Sequence, residues 1–232
     1  MSALVLTLKD PPPPQRVDLS PVTPDRLRDV DARGIARVEL DCGNGRAALG
    51  DLFEISDGDT ADIVIRRATM KLDFIGRGMS FGSIRVEGDA GAYLGQGMSG
   101  GSLHLTGSAG PWAASGLAGG AVRIDGDAGD FVGGALPGDM RGMNGGLVVI
   151  RGRVGERAGN RMRRGIIVVE GDAGPYLGWR MIAGTVVALG EVGPYPGYAM
   201  KRGTLLLREL PALVSPTFSD NGSHDLGFVR LL

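Results

Sequence analysis

Cysteine is nearly absent from this chain. Cys42 is the single thiol in 232 residues, which excludes an internal disulfide and a metal site built from several thiolates, and fits a reducing compartment. Histidine is almost as scarce: His104 and His224 stand far apart and suggest neither a ligand pair nor a catalytic dyad. Aromatic residues make up only 5% of the sequence, and net charge is −1, so bulk charge suggests neither nucleic acid nor an anionic membrane as a partner. No apolar run reaches the roughly 18 residues of a membrane-spanning helix, and no leader pattern is visible, so the expected location is cytoplasmic. Paired carboxylates, a Ser/His/Asp set and Cys/His metal spacings are likewise missing.

Glycine, by contrast, is abundant, at 41 residues with 13 prolines and without the three-residue period of collagen, as expected of a fold made of turns and short strands. A larger period governs the chain. Met79, Met98, Leu117, Met143, Met162, Met181 and Met200 recur every 19 residues, except for one step of 26 between Leu117 and Met143. Gly88, Gly107, Gly126, Gly152, Gly171 and Gly190 repeat the same spacings, with the same excess of 7. Agreement of two columns fixes the register, and a period of this size means a solenoid whose units bury their apolar sides against their neighbours. There is no Leu/Asn ladder, no hexapeptide period and no nonapeptide calcium motif. The runs GSIRV, GSLHL, GAVRI, GLVVI, GIIVV and GTVVA are β-branched and of strand length. The fold class is therefore all-β, a parallel β-helix of 19-residue coils with one 26-residue coil, its strands stacked about 4.8 Å apart. The glycines within the repeat are expected at corners that need φ > 0. Gly95 to Gly100 matches a GxGxxG dinucleotide fingerprint, but it lies inside a repeat with no helix after it.

Residues 1–35 read as an N-terminal extension and cap, 36–207 as the β-helix domain and 208–232 as a tail packing on the helix or on a partner. Leu4 to Leu8 suggests an edge strand and Pro11 to Pro14 an extended spacer. Thr23-Pro24-Asp25 starts a short helix over Arg26 to Ala32, with Gly34 as its stop. Ala36 to Leu40, Arg46 to Leu49 and Leu52 to Ile55 alternate like irregular first coils, and Asp62 to Arg66 like another strand. The tail carries an apolar end, Phe228 to Leu232.

Within the repeat, the columns beginning Ile84 and Val86 point inward. The residues between them point outward, and this outer column changes from Arg85, His104 and Arg123 to Val149, Val168, Val187 and Leu206. Such an apolar strip is expected to be covered, either by the tail or by a partner protein. Beside it, Glu87, Thr106, Asp125, Arg151 and Glu170 form a mixed, self-neutralising column. Arg161 stacks under Arg180, with Arg163, Arg164, Lys201 and Arg202 on the same edge. Like charges one coil apart repel unless something anionic lies against them, so this edge is a candidate site for an acidic partner or an anionic carrier tail. The 7-residue insertion, about Leu136 to Arg141 with Pro137, is a corner loop and a second candidate contact.

Between Cys42 and Leu207 the chain resembles the C-type subunits of formylmethanofuran dehydrogenase, above all the version in the bacterial formyltransferase/hydrolase complex. The resemblance rests on GNG at Gly43, LGDLFEIS at Leu49, IVIR at Ile63, IGRGMSFGSIRVEGDAG at Ile75, LPGDMRGMNGG at Leu136, RMRRGIIVVEGDAG at Arg161, RMIAGTVV at Arg180 and MKRGTL at Met200. It implies a right-handed parallel β-helix similar to the C-terminal domain of glutamate synthase, acting as a non-catalytic scaffold. It also implies partners: a D-type formyltransferase, an A-type, amidohydrolase-like protein holding zinc, and a B-type protein. In such a complex a formyl group passes from formyl-tetrahydromethanopterin through a methanofuran-type carrier to formate, and the C-type scaffold holds no cofactor firmly itself. The excess of 22 Arg over 3 Lys tilts the reading to the bacterial form over an archaeal molybdenum or tungsten enzyme. A glutamate-synthase-like interaction module is the alternative of another class. A carbohydrate-active β-helix would need acids grouped on one outward face, and none are.

Overall fold

The structure, a computed structural model, describes residues 2–223 and 227. Eight strands of one sheet run parallel and in register: β6 (Asp59–Ala68), β8 (Ser83–Gly88), β9 (Ser102–Leu105), β10 (Ala121–Ile124), β11 (Asn144–Ile150), β12 (Arg164–Val169), β13 (Thr185–Ala188) and β14 (Thr204–Leu207). From β8 onward the pairing is one coil on the next, Ile84 on Leu103 on Val122 on Val148 on Ile167 on Val186, each at most 1% exposed. The column beginning Val86 is equally buried through Ala188. This is the expected parallel β-helix. On another side of each coil a second ladder links Ala90, Ala109, Ala128, Val154, Ala173 and Val192 by single bridges. Met79, Met98, Leu117, Met143, Met162 and Met181 stand fully buried between the two ladders' layers of core.

Two kinds of glycine hold the coils together, for different reasons. Those before the strands, such as Gly82, Gly101 and Gly120, have φ of 80, 74 and 78 and turn the chain as only glycine does at low cost. The marker glycines do not: among Gly88, Gly107, Gly126, Gly152, Gly171 and Gly190 only Gly88 has positive φ, at 117. Their column is glycine because one coil's backbone rests on the next. A Cβ at Gly107 would stand 2.3 Å from the Gly88 carbonyl oxygen. The expectation of corner glycines thus holds for the first kind and is corrected for the marker column.

The N-terminal region departs most from expectation. β1 (Ala3–Leu8) is an interior strand, antiparallel to β5 (Phe53–Ser56) on one side and parallel to β6 on the other. Leu4, Leu6 and Leu8 are its buried face, and β5 is the edge. Pro11 to Pro14 form no strand, as proline's missing donor requires. The helix does begin at the Thr23 cap, as α1 (Pro24–Leu27), but it ends after one turn. Gly34 is not a stop: Asp31 caps a second helix, α2 (Ala32–Ala36), its carboxylate accepting from Gly34 N at 2.7 Å. Nor are the next segments coils. β3 (Glu39–Cys42) and β4 (Gly45–Ala48) form a two-residue hairpin over Gly43-Asn44, joined with β2 (Val17–Asp18) and β7 (Leu72–Asp73) in a separate four-stranded sheet. α3 (Leu49–Leu52) then leads into β5. Alternation marks a strand but cannot say whether its partner is the next coil or the preceding hairpin arm. The cap is tied down by Asp25, which accepts from Ser80 N at 2.9 Å and from the Ser80 hydroxyl, and by Arg28 stacked over Phe81 at 4.1 Å.

The mixed outward column is paired in part: Arg151 meets Asp125 but, among the described residues, not Glu170, and the remaining partners come from neighbouring positions. Asp125 receives His104 Nε2 at 2.7 Å, Arg123 Nε at 2.9 Å and Arg151 at 3.5 Å, while Arg66 and Arg85 share Glu87. The hydrogen bond with His104 does most to hold the Asp125 carboxyl below the usual carboxylate range; burial opposes it, and the Arg123 hydrogen bond adds to the lowering. A depressed folded-state pKa stabilises the fold above the unfolded carboxyl value of about 3.9 and loses that contribution as pH falls through the folded value. Asp125→Asn is therefore expected to lower the urea midpoint at about pH 7 and to converge with the wild type near about pH 2. A gap that stays constant with pH excludes an electrostatic role.

Candidate functional site

The column just before each methionine adopts left-handed backbone in every coil except that of the insertion, where Gly142 stands before Met143. In early coils it is glycine: Gly78, Gly97 and Gly116, with φ of 70, 65 and 67. A Cβ at any of the three would meet nothing within 4 Å, so the column faces open space. In the last coils the same position holds Arg161, Arg180 and Ala199, with φ of 52, 53 and 58. A non-glycine residue there costs about 1 kcal/mol or more, so the two arginines are kept at a position where backbone preference favours glycine. Strain of this kind points to a use for the side chain.

Arg161 Nη1 donates to the Met140 thioether at 3.0 Å and to the Asp139 carbonyl at 3.5 Å, both on the insertion loop and both uncharged. The Arg180 guanidinium lies 4.8 Å from the Trp179 ring centroid. With Met140, Ile182, Ala199 and Lys201 these arginines line a concavity of about 330 Å³. Arg66, Arg85, Arg123, Arg151 and Arg153 each have a carboxylate within 4.0 Å. Among the described residues none of Arg161, Arg163, Arg164, Arg180, Lys201 or Arg202 has one. The paired cations form a self-neutralising surface; the unpaired ones present net positive charge.

The predicted cations separate into two groups. Arg161, Arg180 and Lys201 share the concavity, whereas Arg163, Arg164 and Arg202 do not line it; Arg164 begins β12 and Arg202 stands two residues before β14. Leu136 and Pro137 line an adjoining hollow of about 270 Å³ with Trp112, Phe131, Arg157 and Trp179, and Arg161 is common to both hollows. Arg141 is exposed beside them.

An aromatic ladder at this corner escaped the sequence reading. Phe74, Tyr93, Trp112 and Phe131 stack at centroid distances of 4.6, 5.7 and 5.0 Å, and Tyr176 on Tyr195 at 5.8 Å. Arg157 fills the missing rung, 5.5 Å from Phe131 and 5.8 Å from Tyr176. All seven have φ between 57 and 65. The signal was present: these residues keep the spacing of 19 with one step of 26. Further hollow space, about 500 Å³, lies among Arg157, Tyr176, Trp179, Tyr195 and Tyr198.

The apolar strip is in place. Val149, Val168, Val187 and Leu206 pair in register on the outer face, half-buried, with Leu147 38% exposed beside them. The described tail goes elsewhere: Leu210, Pro211, Val214 and Phe218 gather against Leu205 and Leu207, continuing the inward columns at the solenoid's end. Tyr195 N donates to the Leu213 carbonyl at 2.9 Å, as each earlier rung donates to the next coil, so the corner persists after the sequence period fades. Phe228 to Leu232 and His224 lie outside the described residues.

Known proteins narrow what this surface belongs to. No family model matches the chain. Over 81 residues it is 46% identical to the C-type subunit of the formyltransferase/hydrolase complex Fhc of Methylorubrum extorquens, covering 35% of this chain and 31% of that protein. Over 97 residues it is 33% identical to the C-type subunit of the tungsten-containing formylmethanofuran dehydrogenase 2 of Methanococcus maripaludis, covering 40% and 35%. A chain in the X-ray crystal structure of the formyltransferase/hydrolase complex FhcABCD from Methylorubrum extorquens, in complex with methylofuran, superposes with a TM-score of 0.91 at 43% identity, covering 98% of this chain and 84% of that one. This chain belongs to the family of Fhc C-type subunits. Its curated matches span about a third of each relative's length, while the structural match runs through the cap, the solenoid and the described tail. The Fhc C-type fold thus carries the Arg161/Arg180 corner on one side and the apolar outer strip on another. Among the described residues no helix is long and apolar enough to cross a membrane.

Proposed function

We propose that this chain is the scaffold of a formyltransferase/hydrolase complex, without a catalytic site of its own. It holds formyltransferase, amidohydrolase-like and B-type subunits while a formyl group passes from formyl-tetrahydromethanopterin through a methanofuran-type carrier to formate, with zinc in the hydrolase. The observation that carries this reading is the 43% identity over 98% of the chain to a component of a complex crystallised with methylofuran. The corner chemistry supports a part for this chain in carrier handling. Among the described residues Arg161, Arg180 and Lys201 have no carboxylate within 4.0 Å, and an anionic tail laid along successive coils would meet one cation per coil. Arg163, Arg164 and Arg202 extend the same positive field.

Purification from the native host, with every co-purifying protein identified, tests the assembly; isolation with an amidotransferase or a synthase instead would refute it. For the carrier, Arg161→Ala/Arg180→Ala removes two charge-assisted contacts. Carrier retention is expected to weaken on the order of 100-fold, with assembly intact. Unchanged carrier content and carrier-dependent turnover would remove the corner from the path.

A further inference from the structure

The outer face of β11 to β14 carries one apolar column along its whole length and a second that is apolar in β11 and β12 and passes to Thr185 and Thr204 in β13 and β14. Leu147 and Ile166 pair in register, as do Val149, Val168, Val187 and Leu206 one column on. Parallel strands apolar on both faces are normally covered on both. The same columns upstream hold Ser102 and Ala121, and His104 and Arg123, both of which already bond Asp125, so the uncovered strip has a defined start. It runs along the solenoid axis across four coils, roughly 14 Å from first strand to last at about 4.8 Å per step.

From this shape we propose that the strip is the seat of an amphipathic helix from a neighbouring protein of the complex, lying along the solenoid axis, with acidic residues on the flank toward Arg164 and Arg202. This inference rests on the reading that the chain works within a hetero-oligomer. The pitch selects a helix. A helix rises about 1.5 Å per residue, so residues three or four apart fall on successive coils, and three or four is the spacing of an apolar helical stripe. An extended segment advances about 3.3 Å per residue and alternates faces, so its strip-facing side chains recur about every 6.6 Å, out of step with coils about 4.8 Å apart. Charge selects the flank. Arg164 and Arg202 are exposed, stand two residues before Ile166 and Thr204 in the outer columns, and have no carboxylate within 4.0 Å among the described residues. They do not line the Arg161/Arg180 concavity, so beyond their share in the wider positive field they can serve this rim.

The test uses the assembled complex. A photo-cross-linking residue is placed in turn at Val149, Val168 and Val187, and the attached peptides are mapped. The expected result is one partner segment whose cross-linked positions advance three or four residues per coil, with Asp or Glu on one flank. Steps of one or two residues, attachment to residues 208–232 of the same chain, attachment to a second copy, or attachment to the carrier alone each overturn the proposal. In parallel, Val168→Glu/Val187→Glu should weaken retention of that partner about 100-fold, since burying unpaired charge is costly, while thermal unfolding of the full chain is unchanged. If the wild-type chain purifies with no other protein, the functional reading fails. If the wild-type complex forms and the Glu variant assembles equally well, only the helix assignment fails.

Discussion

Alanine at Gly126 is expected to lower the stability of the solenoid by about 3 kcal/mol or more, whereas alanine at Gly116 costs about 1 kcal/mol. Both are single methyl groups on glycines of the same repeat, and their surroundings decide the difference. At Gly126 the new Cβ would stand 2.6 Å from the Gly107 carbonyl oxygen and 2.7 Å from its carbonyl carbon, both backbone of the coil below. The Ser108 hydroxyl, also 2.6 Å away, can turn aside, but the Gly107 backbone cannot, so the coils must part, lengthening the Gly126 N to Gly107 O bond of 3.0 Å and its neighbours in the ladder. At Gly116 the backbone is left-handed, φ 67, but the Cβ would meet nothing within 4 Å. The cost is the left-handed penalty alone, one that Arg161, Arg180 and Ala199 already bear in the equivalent place. For a chain of this size the two costs correspond to midpoint shifts of roughly 10 °C and roughly 3 °C. Equal losses in a urea or thermal titration would show that coil contact is not what the marker glycines supply.

The solenoid was legible because every coil repeats the same physical problem. A burial pattern of period two inside a period of 19 leaves one inward register, and Ile84 through Val186 and Val86 through Ala188 occupy it. The cap was not legible. β1 pairs with β6 across more than fifty residues of chain, and alternation in Ala36 to Ile55 fits a coil or a hairpin equally until the partners are seen. The aromatic ladder was missed for another reason. Its residues sit at positive φ, where propensity leads one to expect glycine, so only the spacing of Phe74, Tyr93 and Trp112 marks them as a column. At the corner, Arg161 over Arg180 followed from spacing alone. That Lys201 joins them while Arg163, Arg164 and Arg202 do not depends on how the turn before each strand directs its side chains.

Truncation of Met162 is expected to cost about 3 kcal/mol, and to cost less once Gly184 carries a methyl group. Met162 is fully buried, and its terminal methyl lies against the glycine that opens the next coil's strand: a Cβ at Gly184 would stand 2.9 Å from Met162 Cε and 3.3 Å from its Cγ. The same engagement recurs at Met79 with Gly101, Leu117 with Gly146, Met143 with Gly165 and Met181 with Gly203, at 2.7 to 2.9 Å. Methionine and glycine thus form one device, a long unbranched side chain lodged where the coil above has none, which is why the two repeat in step. Met162→Ala leaves a cavity between coils that the paired backbones cannot collapse to fill. Gly184→Ala alone adds both a clash with Met162 and the strain of φ 104. In the double variant the clash is gone and the methyl occupies part of the cavity, so the two losses should sum to about 1 kcal/mol or more above the measured effect. Strict additivity in that double-mutant cycle would mean that the methionine column fills space without locking one coil to the next.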